Sequence, residues 1–163
     1  MRIFITGKPG VGKTTLIKKL FEELKDKEVG GFITEEIRKE GRRVGFKMIA
    51  LDTKEEGLLA YVGKGEPRVG KYRVFVDNID KIAVNALKRA LNKDIILIDE
   101  IGTMEFKSKN FKKALDEVLK SNKIIVATLH RNYIDKFKDF CKIIYLTEKN
   151  REEVLKNLKK VLL

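Results

Sequence analysis

Gly7-Lys8-Pro9-Gly10-Val11-Gly12-Lys13-Thr14 has the spacing G-x-x-x-x-G-K-[ST]. Each residue type suits an anion. Glycines carry no Cβ, so backbone N–H groups can turn inward around phosphate oxygens. A helix opening at this point adds the positive end of its dipole. The Lys13 ammonium can reach β- and γ-phosphates, and the Thr14 hydroxyl can ligate Mg²⁺. A chance match in a chain this long has odds on the order of 1% at ordinary glycine usage. The setting, an apolar strand before and an amphipathic helix after, is that of a P-loop. The nucleotide-binding set read here is Gly7, Lys8, Pro9, Gly10, Val11, Gly12, Lys13, Thr14 and Thr15, with Lys13 also counted as catalytic.

A second constellation is Ile95-Ile96-Leu97-Ile98-Asp99-Glu100. Four apolar residues end in two carboxylates, as the acidic strand of P-loop proteins does. Asp99 is placed to hold the Mg²⁺ shell, directly or through water. Glu100 is placed to take the proton of a water attacking the γ-phosphate. Taken alone, the pair reads equally well as a solvated strand end.

An acidic residue directly after this aspartate resembles the division of P-loop proteins with an extra strand between the P-loop strand and the acidic strand. Here that strand is Ile124–Thr128. Its carboxyl end carries Thr128, a candidate sensor of the γ-phosphate, then His130 and Arg131. Arg131 is a candidate for phosphate contact; His130 reads as well as a polar loop residue. Glu35 and Glu36 are candidates for the metal or the water, or for ion pairs with Arg38 and Arg42. Arg42, Arg43, Arg68 and Lys71 are candidates for a basic lining, and spacing selects no arginine finger among them.

With these motifs in hand, the chain resembles the nucleoside-triphosphatase family first described in thermophiles, which has a human cancer-related member. The matching segments are GKPGVGKT, GFITEEIR (31–38), GRRVGF (41–46), PRVGKY (67–72) and DEIGTMEF (99–106), in the family's order. Thr103 and Phe106 stand where the family often has lysine and leucine. The resemblance implies a RecA-like core and slow, Mg²⁺-dependent hydrolysis of ATP, GTP and other nucleoside triphosphates. It also implies Glu100 as catalytic base.

These residues need a scaffold that brings strand ends together. Short apolar runs alternate with amphipathic stretches, the pattern of an α/β fold with a mostly parallel sheet flanked by helices. Strands are expected at Ile3–Ile5, Ile95–Ile98, Ile124–Ala127 and Ile143–Leu146. Helical stripes follow Lys13 and cover 79–91, 111–119 and 154–161, with a short helix over 133–140. Asn150 with Glu153 reads as a capping pair for the last helix. Residues 30–76 read as an antiparallel β extension, with a hairpin turn at Lys39-Glu40-Gly41-Arg42. The length, 163 residues, suits one domain over 1–163.

Composition excludes other classes. One cysteine and one histidine leave no disulfide framework and no transition-metal site built from protein alone. Cys141 reads as a buried thiol heading a buried strand. No apolar run approaches the ~18 residues of a membrane span, so a cytoplasmic protein without membrane contact is expected. The net charge is +12, which raises nucleic acid as a partner. Yet the lysines are spread over nearly every helix face, and the chain has no glutamine. This is the Lys/Glu-rich, amide-poor pattern of thermophile surfaces. Two rival functions remain: a small nucleotide or polynucleotide kinase, and a nucleotide-gated nucleic-acid-binding module.

Overall fold

The computed structural model describes residues 1–163. One nine-stranded sheet runs through the molecule in the order β5-β6-β4-β3-β2-β7-β8-β1-β9. The strands are β1 (Arg2–Thr6), β2 (Val29–Lys39), β3 (Arg42–Ala50), β4 (Glu56–Val62), β5 (Arg68–Val69), β6 (Tyr72–Val74), β7 (Ile95–Ile101), β8 (Ile124–Leu129) and β9 (Lys142–Tyr145). Strands β2, β7, β8, β1 and β9 pair in parallel. Strands β3, β4, β6 and β5 continue the sheet antiparallel from β2.

Helices cover both faces, which is why the central strands are continuous apolar runs. One face packs α1 (Lys13–Glu23) and α6 (Arg151–Leu162) over Ile3, Ile5, Leu97 and Val126. The other packs α4 (Lys109–Lys120), α5 (Ile134–Phe137) and a mixed helix over Phe4, Ile96, Ile98 and Ile125. The mixed helix runs from α2 (Val76–Asn78) through a π-helical stretch, Ile79–Val84, into α3 (Asn85–Ala90). Its apolar stripe reads as one regular helix; the wider π winding is not visible in side-chain spacing.

Strand β2 positions the site. Its first half pairs with β7 from Val29 to Phe32, and its second half runs on beyond β7 against β3. Beyond Phe32 the strand leaves that pairing, and this stretch carries Thr34, Glu35 and Glu36 alongside the carboxyl end of β7, with Thr34 against Asp99. The hairpin expected at Lys39–Arg42 is present, with Glu40 and Gly41 both at positive φ (53° and 76°), as a two-residue primed turn demands.

Three expectations need correction. Asn150 does not cap α6 with its side chain. Its Oδ1 accepts from the Thr147 N–H at 2.7 Å and its Nδ2 donates to the Tyr145 carbonyl at 2.9 Å, so the amide closes the preceding loop instead. The strand after Cys141 is an edge strand with Tyr145 exposed, not a buried one. The short helix expected over 133–140 is a 3₁₀ turn, Arg131–Tyr133, followed by one turn of α5. No helix is long and apolar enough to cross a membrane.

Candidate active site

The glycine-rich loop joins the end of β1 to α1. Gly10 and Gly12 take φ of 78° and 105°, a turn that residues with a Cβ rarely adopt. Gly12 is the N-cap of α1 and supplies no side-chain cap, and the first turn of α1 holds no acidic residue. The opening N–H groups of the helix therefore have no side-chain anion of their own. Lys13, Thr14 and Thr15 begin α1. The Lys13 ammonium folds over the loop and donates to the Gly7 carbonyl at 2.9 Å and the Lys8 carbonyl at 3.4 Å. Lys8, Pro9 and Gly10 are exposed, whereas Val11 is buried and anchors the loop in the core.

Asp99 lies at the carboxyl end of β7, only 2% exposed. Its Oδ1 accepts from the Thr14 hydroxyl at 3.2 Å and the Thr128 hydroxyl at 2.7 Å. Its Oδ2 accepts from the N–H and hydroxyl of Thr34, both at 3.4 Å. No lysine or arginine pairs with it. Burial raises its pKa, and the threonine hydrogen bonds only partly oppose this. A buried carboxylate without a counter-charge, set among hydroxyl oxygens, is a hard-oxygen donor set suited to Mg²⁺. Asp99 and Thr14 are the two side chains that fit such an ion.

Glu100, half-buried, points into the same cavity. Burial first, and the Asp99 charge second, push its pKa up to about 7, while Lys13 opposes the shift. A carboxyl poised near neutrality suits a general base. Strand β8 does lie between β7 and β1, as the adjacent acidic residue implied. Thr128 is fully buried, and its hydroxyl donates to Asp99 Oδ1, the oxygen that also accepts from Thr14 of the P-loop. His130 caps the turn that follows, its Nδ1 accepting from the Asn132 N–H at 3.1 Å. Burial, Lys13 and Arg131 lower its pKa. Arg131 is exposed, makes no ion pair and lines the cavity.

The cavity has a volume of about 830 Å³, within the ~300–1,000 Å³ usual for small-molecule sites. Glu35 and Glu36 line it, but with other partners than Arg42. Glu35 pairs with Lys18 at 2.8 Å, which lowers its pKa. Glu36 pairs with Arg38 at 2.9 Å and Arg43 at 3.2 Å. Of the expected basic lining, Arg43 and Lys71 face the cavity, joined by Arg38; Arg42 and Arg68 do not. Arg68 is turned to the carbonyl of Gly63.

Sequence reasoning missed Thr34, Glu105, Phe46 and Tyr72. Thr34 and Glu105 sit inside segments quoted for the resemblance, and Phe46 and Tyr72 close two others. Nothing in their spacing marked them as facing the site.

A family model described as NTPase matches residues 2–159. The chain belongs to this NTPase family. Among its relatives in the family, the nucleoside-triphosphatase THEP1 of Methanocaldococcus jannaschii is 58% identical over 161 residues, spanning 97% of this chain and 95% of its own. The protein of the same name from Pyrococcus abyssi is 52% identical, spanning 99% of this chain and 94% of its own. The crystal structure of THEP1 from Aquifex aeolicus has a TM-score of 0.88 at 34% identity, covering 99% of both chains. The solution structure of a human cancer-related nucleoside triphosphatase has a TM-score of 0.82 at 33% identity, covering 99% of this chain and 96% of that one. The resemblance read from the motifs therefore holds for both its thermophile and its human members, and by membership the chain is an NTPase enzyme.

Proposed function

We propose that the chain hydrolyses the γ-phosphate of ATP, GTP and other nucleoside triphosphates with Mg²⁺. The observation that carries this reading is Asp99, a buried carboxylate without a counter-charge, 3.2 Å from the hydroxyl of Thr14 at the mouth of α1. Asp99 and Thr14 would hold Mg²⁺, whose contribution when bound is to neutralise charge on the β- and γ-phosphate oxygens. Lys13 exchanges its loop carbonyls for those oxygens, and the N–H groups opening α1 bind the phosphates. Glu100 orients the attacking water and accepts its proton. Thr128 and Thr34 hold Asp99 in place.

The test is a panel of nucleoside triphosphates with Mg²⁺, following released phosphate and any phosphorylated product together. Lys13→Ala should fold normally and lose most turnover. Near wild-type turnover in that variant would remove the loop from the mechanism.

One observation favours a second reading, phosphoryl transfer to an acceptor. The cavity that holds Glu100 is also lined by Phe46, Leu59, Val69 and Tyr72, together with Arg43 and Lys71. An apolar wall with cations beside it gives an acceptor molecule something to bind besides the triphosphate. A labelled acceptor in place of free phosphate would establish transfer.

A further inference from the structure

Glu105 opens the single 3₁₀ turn after β7, Glu105–Lys107, and is 3% exposed. It lines the cavity, yet neither the phosphate-binding set nor the metal ligands include it. Its carboxyl lies close to that of Glu100, across Gly102. A Cβ placed on Gly102 would lie 2.8 Å from Glu100 Oε1 and 3.2 Å from Glu105 Oε1, so the two carboxyl oxygens flank Gly102 within about 6 Å of each other. Any side chain at 102 would push into both.

We propose that Glu105 is a positioning residue of the reaction: packed against Gly102, its carboxyl fixes that of Glu100 and so the place of the attacking water. The proposal rests on the assignment of Glu100 as base.

The surroundings argue against a structural ion pair. No lysine or arginine bonds Glu105, and no side chain donates to it. The groups that oppose its ionisation are burial, then Glu100, then Asp99; the groups that favour it are the backbone N–H of Glu105 itself and of Gly102. Met104 and Phe106, its neighbours in the chain, are partly buried against the core. A neutral carboxylic acid fits this setting. An acid next to a carboxylate donates to it, directly or through one water, and fixes its orientation. An apolar side chain would fill the space without the desolvation penalty, and the nearest ionisable group within about 6 Å across Gly102 is the carboxyl of Glu100.

Glu105→Gln, Glu105→Met and Glu105→Ala are compared with Glu100→Gln by melting temperature, nucleotide affinity in calorimetry, and steady-state kcat and KM. Gln keeps the shape, the neutrality and a donor, so kcat should stay within about threefold of wild type. Met keeps the volume and removes the donor. It should fold at least as well as wild type but lose on the order of tenfold to a hundredfold in kcat, with KM and affinity unchanged, as misplacement of a reacting group does. Ala should lose kcat in the same way, and if it does not fold, Met decides the matter. A folded Met variant with wild-type kcat would reduce Glu105 to core filling and overturn the proposal. A Gln variant as slow as Met would also overturn it, by showing that an ionised carboxylate is needed. If Glu100→Gln itself turns over normally, the assignment of the base fails instead, and the two failures are told apart.

Discussion

Asp99, Glu100 and Glu105 bring three carboxyl groups into one cavity, and burial raises the pKa of each. Function and stability then respond to pH in opposite senses. On the proposed reading, hydrolysis needs Glu100 ionised, so the rate should climb with rising pH as this raised carboxyl gives up its proton. Stability follows the other sign. A group whose folded pKa exceeds its unfolded value contributes stability below the unfolded value, and loses it as pH rises through the folded one. The folded protein without nucleotide should therefore lose stability through Glu100 as pH rises from about 4.5 through about 7, and the raised Asp99 and Glu105 carboxyls act in the same direction. The Glu100→Gln/Glu105→Gln double variant should escape most of that loss, giving a flatter stability–pH profile over the same range. Denaturant melts of both proteins across the range measure it, and equal slopes would show that these carboxyls are not strained in the native state. At this scale the sequence was most informative where spacing is rigid. The P-loop and the Asp99-Glu100 pair were legible because a turn and a strand end fix their geometry. Thr34 and Glu105 were not, since their roles depend on β2 overhanging β7 and on a turn folding back over Gly102.

Among the elements, β2 carries the tightest demands. Gly31 sits in the parallel pairing with β7 at φ 112°, and a Cβ there would lie 1.8 Å from the Leu97 carbonyl oxygen. Gly31→Ala should cost about 3 kcal/mol or more, combining backbone strain with overpacking. It should also lower activity by displacing Thr34 from Asp99. Chemical denaturation with a parallel rate assay tests both; a loss under ~1 kcal/mol would mean that the β2–β7 contact adjusts freely. The glycines at 30 and 31 fall at the start of the expected β extension, and the close approach of β7 and Ala90 explains why this strand begins on glycines. The central strands and the helical stripes were legible because burial on both faces, or on one, leaves a distinct apolar period. The Asn150 cap was misread because its local pattern is shared by a loop-closing amide.

The whole molecule carries a net charge of +12, with its lysines spread along the chain rather than in one block. Half of the cations lining the cavity are paired, Lys18 with Glu35 and Arg38 and Arg43 with Glu36, while Lys13, Lys71 and Arg131 are not. Elsewhere Arg89 grips Asp52 through two bonds, of 2.7 and 3.0 Å, tying α3 to the turn between β3 and β4. DNA or RNA binding should thus be weak and vanish by physiological salt, because few phosphates are neutralised together. Turnover stimulated by nucleic acid at that salt would reverse this view. The layered α/β plan and the antiparallel extension followed from the order of apolar runs. The order β5-β6-β4-β3 did not, since strand neighbours along an antiparallel edge depend on side-chain packing that period alone does not encode.

The central claim is a division of labour between two adjacent carboxylates, with Asp99 in the Mg²⁺ shell and Glu100 at the attacking water. Glu100→Gln keeps the shape and removes the base, and general-base assistance is typically worth ~10²–10⁴-fold. The deciding measurement is triphosphate affinity by calorimetry beside single-turnover hydrolysis, for wild type and Glu100→Gln. The account predicts affinity within a few-fold of wild type and a rate lower by on the order of a hundredfold or more. Hydrolysis close to the wild-type rate would show that Glu100 is not the base, and affinity collapsing together with rate would make it a metal-holding or structural residue instead.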